Sequence, residues 1–305
     1  MAVSYDDVLA AADRIRGRVL RTPVVEVGEG LFLKLETLQH SGSFKVRGAF
    51  NRMLSAAVPD AGVIAASGGN HGLAVAYAAR ALGLRAEIFV PEVSSPVKVA
   101  GLRALGADVT QTGAIYSEAA EAAAKRAAET GALEVHAYDH PDVVAGQGTL
   151  GLELMEQTGG VDTILIAVGG GGFVAGVTVG SGASQGAPVV VAVEPERCPT
   201  LHQALKEGRP VPVAVSGVAA DALGASRLGD VAYGIVERAG VRSLLVSDDA
   251  IEAARRTLWA EYRIAAEHAG ATAYAALLSG AYERAPGERV VVVLCGSNTD
   301  PATLG

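Results

Sequence analysis

The sequence predicts an α/β protein built on mostly parallel sheets and divided into two domains. Short β-branched runs alternate with alanine-rich helical stretches, the order expected when crossover helices join successive strands. Several of those runs are apolar at every position, as strands buried on both faces of a sheet must be. The chain has 305 residues, a length for which about two domains are expected.

The elements follow in order. A helix over 4–15 opens on Ser4-x-x-Asp7, a capping box in which each residue satisfies a free N–H of the other's turn. Strands are expected at 31–35, 62–65, 86–90, 163–168, 188–193, 242–246 and 289–294. An Ala/Glu-rich surface helix is expected over 117–130, and another over 248–268, capped by Ser247 and acidic in its first turn. Two segments, 63–83 and 162–182, share one design: a strand, a glycine loop, then a long apolar helix. Such junctions aim helix N-termini and free N–H groups at a ligand. No linker rich in Pro, Gly or Ser divides the chain, so it is expected to cross between its domains more than once.

Composition narrows the function. With 33 acidic and 25 basic side chains the net charge is −8, and no basic excess exists to steer the chain onto nucleic acid. Residues 163–193 lack any charge, but Gly169–Gly170–Gly171–Gly172 and four further glycines rule out a lipid-exposed helix there. The first residues carry Asp6 and Asp7 and no apolar core of a secretory signal. Cys198 and Cys295 are far apart and form no CxxC pair, which fits a reducing cytoplasm and offers no metal framework.

Four constellations could carry chemistry. The four glycines 169–172 follow a strand and precede a helix; successive N–H groups and the helix dipole there suit a phosphate. A tight packing turn is the plainer reading, but four consecutive glycines cost much chain entropy for that alone. Gly170-x-Gly172-x-x-Ala175 also satisfies the dinucleotide fingerprint, with Glu194 placed 24 positions after Gly170 as the acid for a ribose. The motif alone does not separate the two. Next, Ser41-Gly42-Ser43-Phe44-Lys45-Val46-Arg47-Gly48 places a lysine behind a phenylalanine in an apolar setting, where an amine nucleophile is favoured. A snorkelling surface lysine is the commoner case. Ser67-Gly68-Gly69-Asn70-His71-Gly72 follows a strand and opens a helix, so it could hold a carboxylate or be a capped turn. Cys295-Gly296-Ser297-Asn298 ends the last strand and reads in isolation as a turn.

Together, SGSFKVRGAFN, ASGGNHGLAVAYAA, HPDVVAGQGTLGLEL, VGGGGFVAG and CGSNTD occur in the order and approximate spacing of the fold-type II pyridoxal-phosphate enzymes. The chain resembles the serine/threonine dehydratase and serine racemase family from about Leu20 to Asp300. The resemblance implies a tryptophan-synthase-β-like architecture of two parallel-sheet α/β domains: a large cofactor-binding domain of 1–52 and 143–305 and a small mobile domain of 53–142. It implies pyridoxal 5'-phosphate in the cleft and a homodimer. Lys45 would carry the cofactor as a Schiff base and act as catalytic base. Phe44 would pack beside the pyridine ring, Asn70 would hydrogen-bond the phenolic oxygen, and Gly169, Gly170, Gly171 and Gly172 would bind the phosphate. Cys295 would face the pyridine nitrogen, a neutral partner that favours β-elimination over transamination. Ser67, Gly68, Gly69, Asn70 and His71 would bind the substrate carboxylate. The expected reaction is ammonia release from L-threonine or L-serine, giving a 2-oxo acid.

The chain departs from the family in places. Serine racemases carry a second serine where this chain has Gly68, which removes an acid on the far face of the substrate and favours a dehydratase. Racemisation, or dehydration of another hydroxy amino acid such as 3-hydroxyaspartate, is the alternative. Cation-binding members place an acid a few positions before an Ala-Asp step. Ala220-Asp221 is kept here but preceded by Ser216-Gly217-Val218, so no metal site is expected. Asp221 makes a thin magnesium or calcium site, although carbonyls could hold a monovalent ion. Glu267 is either a second acid near the pocket or a helix-end charge, and Arg126 belongs on a solvated helix face rather than in the site.

Overall fold

The computed structural model describes residues 3–182 and 186–304. The chain begins with α1 (Tyr5–Ile15), β1 (Val24–Gly28), β2 (Leu31–Leu35) and α2 (Lys45–Leu54). It continues through β3 (Val63–Ala66), α3 (Asn70–Leu82), β4 (Ala86–Val90), α4 (Pro96–Ala104), β5 (Asp108–Gln111), α5 (Tyr116–Thr130) and β6 (Leu133–Glu134). The next elements are α6 (Pro141–Thr158), β7 (Thr163–Ala167), α7 (Gly172–Ser181), β8 (Val189–Pro195), α8 (Thr200–Glu207), α9 (Ala220–Leu223) and α10 (Asp230–Val236). The chain closes with β9 (Arg242–Val246), α11 (Asp248–Tyr262), α12 (His268–Leu278) and β10 (Val290–Leu294).

The strands form two sheets. One has the order β1-β2-β10-β7-β8-β9 and the other β5-β4-β3-β6. Every pairing is parallel except β1 with β2. All strands of the smaller sheet fall between residues 63 and 134, and each sheet has its own buried cluster. The last strand, β10, sits in the middle of the larger sheet, with Leu294 opposite Leu35 and Val290 opposite Thr163. Its sequence VVVVL is buried at every position, each side chain contributing about 1.5–3 kcal/mol of transfer free energy. The fully apolar strands are thus the ones helices cover on both faces. Helices α6 and α7 approach closely because Gly148 and Gly176 face each other; a Cβ on Gly148 would come within 2.8 Å of the Gly176 carbonyl.

The capping box at Ser4 and Asp7 is formed, and Ser247 caps α11 by accepting from the Ala250 N–H. The single helix expected over 248–268 is two. Arg263 adopts φ 58°, a left-handed conformation that stops α11. Its guanidinium donates to the Trp259 and Ala260 carbonyls, satisfying groups the helix end leaves free. Strands β1, β5 and β6 were not expected; they are short edge or near-edge strands with little or no burial.

Beneath α2 lies a buried ionic cluster. Arg47 donates to Glu36 through Nε and Nη2, both at 2.8 Å, and to Glu153 at 3.0 Å. Lys34 Nζ donates to Glu153 at 2.5 Å and to the Thr22 carbonyl at 2.8 Å. Lys34, Glu36 and Arg47 are no more than 1% exposed. Two cations balance two carboxylates, and the cluster ties β2 to α2 and α6.

Candidate active site

The approach to α2 is folded back on the end of β10. Ser41 and Gly42 have φ of 59° and 75°, turning the chain so that Ser43 bridges Gly296 and the Phe44 N–H donates to the Cys295 carbonyl at 3.2 Å. Lys45 is the first residue of α2 and its side chain points into a pocket of about 530 Å³. There Nζ donates to the Ala137 carbonyl at 2.8 Å. Burial disfavours the ammonium and pushes Lys45 down to about 8, against the opposing pull of nearby acidic groups. The amine is therefore available as a nucleophile or base near neutral pH, which the surface-lysine reading does not provide. Phe44 stacks on Phe173, with ring centroids 3.7 Å apart.

The glycine loop forms the opposite wall. Gly169 to Gly172 line the pocket between β7 and α7, and their N–H groups donate to no backbone acceptor among the described residues. The first turn of α7 adds its dipole. A Cβ on Gly170 would run into the ring of Tyr138, and one on Gly172 into the Tyr138 carbonyl. These positions are glycine because Tyr138 lies flat on the loop. Glu194 does not serve as a ribose acid: it is fully buried at the end of β8 and accepts from the Leu201 and His202 N–H groups, both at 2.8 Å. The dinucleotide reading loses its acid there.

Asn70 opens α3 and enters the pocket held on two sides. Its Nδ2 donates to Glu267 at 2.6 Å and its Oδ1 accepts from Asn298 at 2.6 Å. Glu267 is the N-cap residue of α12 and lies in the pocket wall, and burial pushes it up to about 7, so it is at once a helix-end acid and an acid of the pocket. The Ser67 hydroxyl accepts from the Gly69 N–H at 3.2 Å. His71 turns its imidazole inward against the Val135 carbonyl at 2.7 Å. Burial pushes it down to about 3, so it stays neutral. Gly68 lies beside Ser94, where an added Cβ would make ordinary contact at 3.5 Å. Cys295 donates to the Ala269 carbonyl at 3.4 Å, and burial pushes its thiol well up, keeping it neutral.

Asp221 pairs with Lys98 of α4 at 2.5 Å, across the two sheets, and among the described residues no group of three metal-ligating side chains occurs. Arg126 pairs with Glu87 on the face of α5. Tyr138, Gln147 and Phe173 line the pocket and were not singled out from the sequence. Among the described residues no helix is long and apolar enough to cross a membrane.

A buried lysine of lowered pKa faces a cradle of free N–H groups, with a neutral thiol and an oriented amide between them. That is a site for a phosphorylated carbonyl cofactor held by lysine. The loop's close backbone approach and its unpartnered N–H groups suit a phosphate, so pyridoxal phosphate fits the residues present. The chain belongs to the pyridoxal-phosphate dependent enzymes, whose family model matches residues 15–296. It is 36% identical to an L-threonine ammonia-lyase of Thermotoga maritima over 98% of this chain and 76% of that one. It is 38% identical to a phenylserine dehydratase of Ralstonia pickettii, over 95% and 92% of the two chains. The structure of maize serine racemase superposes with a TM-score of 0.93 at 30% identity, covering 100% of this chain and 96% of that one. The fold is the tryptophan-synthase-β-like α/β architecture of that family.

Proposed function

We propose that this chain is an ammonia-lyase that eliminates water from L-threonine or L-serine and releases a 2-oxo acid and ammonia. The observation that carries this reading is a pocket in which Lys45 presents a buried amine, taken with Gly68, which adds no side-chain acid to the loop that opens α3. A single base can remove the Cα proton; return of a proton to the opposite face, which racemisation needs, has no donor. The dehydratase and ammonia-lyase names of the relatives support it.

Bound pyridoxal phosphate supplies an electron sink for the charge left at Cα. Gly169, Gly170, Gly171 and Gly172 would hold its phosphate, Asn70 its phenolic oxygen and Phe44 the flank of its ring. Cys295 would be the neutral partner of the ring nitrogen. Ser67 and the N–H groups of Gly68, Gly69, Asn70 and His71 bind the substrate carboxylate. Lys45 Nζ would take the Cα proton, the departing β-hydroxyl would gain an equivalent proton and leave as water, and water adding to the released enamine would give the 2-oxo acid and ammonia. Residues 53–142 act as a small domain that closes on the large domain of 1–52 and 143–305, excluding water. The enzyme works as a homodimer in the cytoplasm.

The test is a visible spectrum of the purified protein before and after L-threonine or L-serine, with 2-oxo acid measured alongside. An absorption band that shifts as 2-oxo acid accumulates is expected. A band indifferent to both amino acids, with no 2-oxo acid formed, refutes the substrate assignment.

A further inference from the structure

Glu194 and the start of α8 have no part in the chemistry above, yet they touch the glycine loop from behind. Thr200, fully buried at the first position of α8, donates its hydroxyl to the Gly169 carbonyl. We infer that Thr200 is a positioning residue for the anion cradle: by pinning the Gly169 carbonyl on the far side of the loop, it turns the Gly170 N–H into the pocket. This rests on the reading of Gly169–Gly172 as a phosphate site.

The reason is peptide geometry. In a planar trans peptide unit the C=O of one residue and the N–H of the next point in opposite directions. Fixing the Gly169 oxygen therefore aims the Gly170 N–H. The next unit is held the same way: the Gly229 N–H donates to the Gly170 carbonyl at 3.0 Å, which aims the Gly171 N–H. Glycine needs such restraint most, because without a Cβ its peptide planes turn freely. Glu194 in turn fixes Thr200. Its carboxyl accepts from the Leu201 and His202 N–H groups at 2.8 Å and lies 3.2 Å from the Thr200 hydroxyl. A hydroxyl has one proton, and the Thr200 proton is shared between the Gly169 carbonyl and the more distant Glu194 oxygen, so the carboxyl holds the hydroxyl in place beside the loop.

The experiment compares the affinity of apoprotein for pyridoxal phosphate and for pyridoxal, which lacks the phosphate, in the unaltered chain, Thr200→Val, Thr200→Ala and Thr200→Ser. Loss of the hydroxyl is expected to weaken pyridoxal phosphate binding about ten- to a hundredfold, the worth of a hydrogen bond to a charged group. Pyridoxal binding should stay as it was, and Thr200→Ser should restore the preference. Thermal unfolding of each apoprotein confirms that the folded species is being titrated. A phosphate preference within twofold of the unaltered chain in both Val and Ala variants overturns the positioning role. Equal weakening of both ligands overturns it too, since that is the mark of general damage. An unaltered chain that binds pyridoxal as tightly as its phosphate overturns the cradle itself and this inference with it.

Discussion

Glu36→Gln tests the ionic cluster that supports α2. In the folded chain both Glu36 oxygens accept from Arg47, at 2.8 Å each, and one also accepts from the Thr22 hydroxyl at 2.5 Å. Glutamine has the same size but turns an NH2 toward one Arg47 donor and removes the charge, leaving Lys34 and Arg47 with Glu153 alone in a buried setting. Breaking one member of a buried pair costs about 3–5 kcal/mol, much of it the desolvated charge left behind. With a urea dependence of about 3 kcal/mol per molar, the unfolding midpoint should fall by about 1–2 M, measured on apoprotein by circular dichroism. Burial alone would raise the Glu36 pKa, but the adjacent Arg47 guanidinium outweighs it and the net direction is down. Its stabilisation is therefore complete above the ordinary glutamate range and is lost as pH falls through the folded value. The variant should accordingly show a weaker loss of stability on acidification than the parent. A midpoint unchanged within about 0.3 M would falsify the assignment of this cluster as a support of α2.

Lys45→Ala should abolish ammonia release while leaving the far-ultraviolet spectrum unchanged; appreciable turnover with L-threonine would remove Lys45 from its role. Acylation of Lys45 in apoprotein, followed by peptide mass spectrometry, should rise about tenfold per pH unit and level off above about 8, because only the neutral amine reacts. A rate still climbing at pH 10, as for an exposed lysine, contradicts the burial argument. Gly68→Ser should raise racemase activity, since the added Cβ meets only ordinary contacts; a chiral assay of recovered serine that shows no change counts against the single-base reading. Gly170→Ala should displace Tyr138 at a cost of about 1–3 kcal/mol and weaken cofactor binding, and an unchanged cofactor affinity would mean the cradle tolerates a methyl.

Much of this was legible in the sequence, for identifiable physical reasons. Apolar strands such as β7 and β10 announce themselves because burial on both faces admits few polar residues, Thr163 at the start of β7 being one. Glycine runs are equally visible, because few other constraints require them. Edge strands β1 and β6 left no such trace: β1 is mostly exposed and β6 has two residues. The break between α11 and α12 falls at Arg263, a residue with no intrinsic preference for the left-handed conformation it adopts. Tertiary contact overrides local propensity there. The roles of Lys34, Glu36, Arg47 and Glu153 are invisible as well, since their partners lie up to 119 positions apart. The pocket shows both kinds. Lys45 and the cradle stand in motifs, whereas the flat packing of Tyr138 and the orientation of Asn70 by Asn298 emerge only once distant segments meet.

The return of β10 to the centre of its sheet has a consequence for the order of events in the cell. Lys45 is made early, yet the strand beside β2 and the turn that pins Ser43 and Phe44 arrive some 250 positions later. A chain emerging from the ribosome can complete the smaller sheet while its reactive lysine still lacks a pocket, since domains form in sequence during synthesis. Capture of the cofactor is thereby deferred until β10 and the turn after it have emerged. A product cut short before β10 carries Lys45 without the strand and turn that seat it.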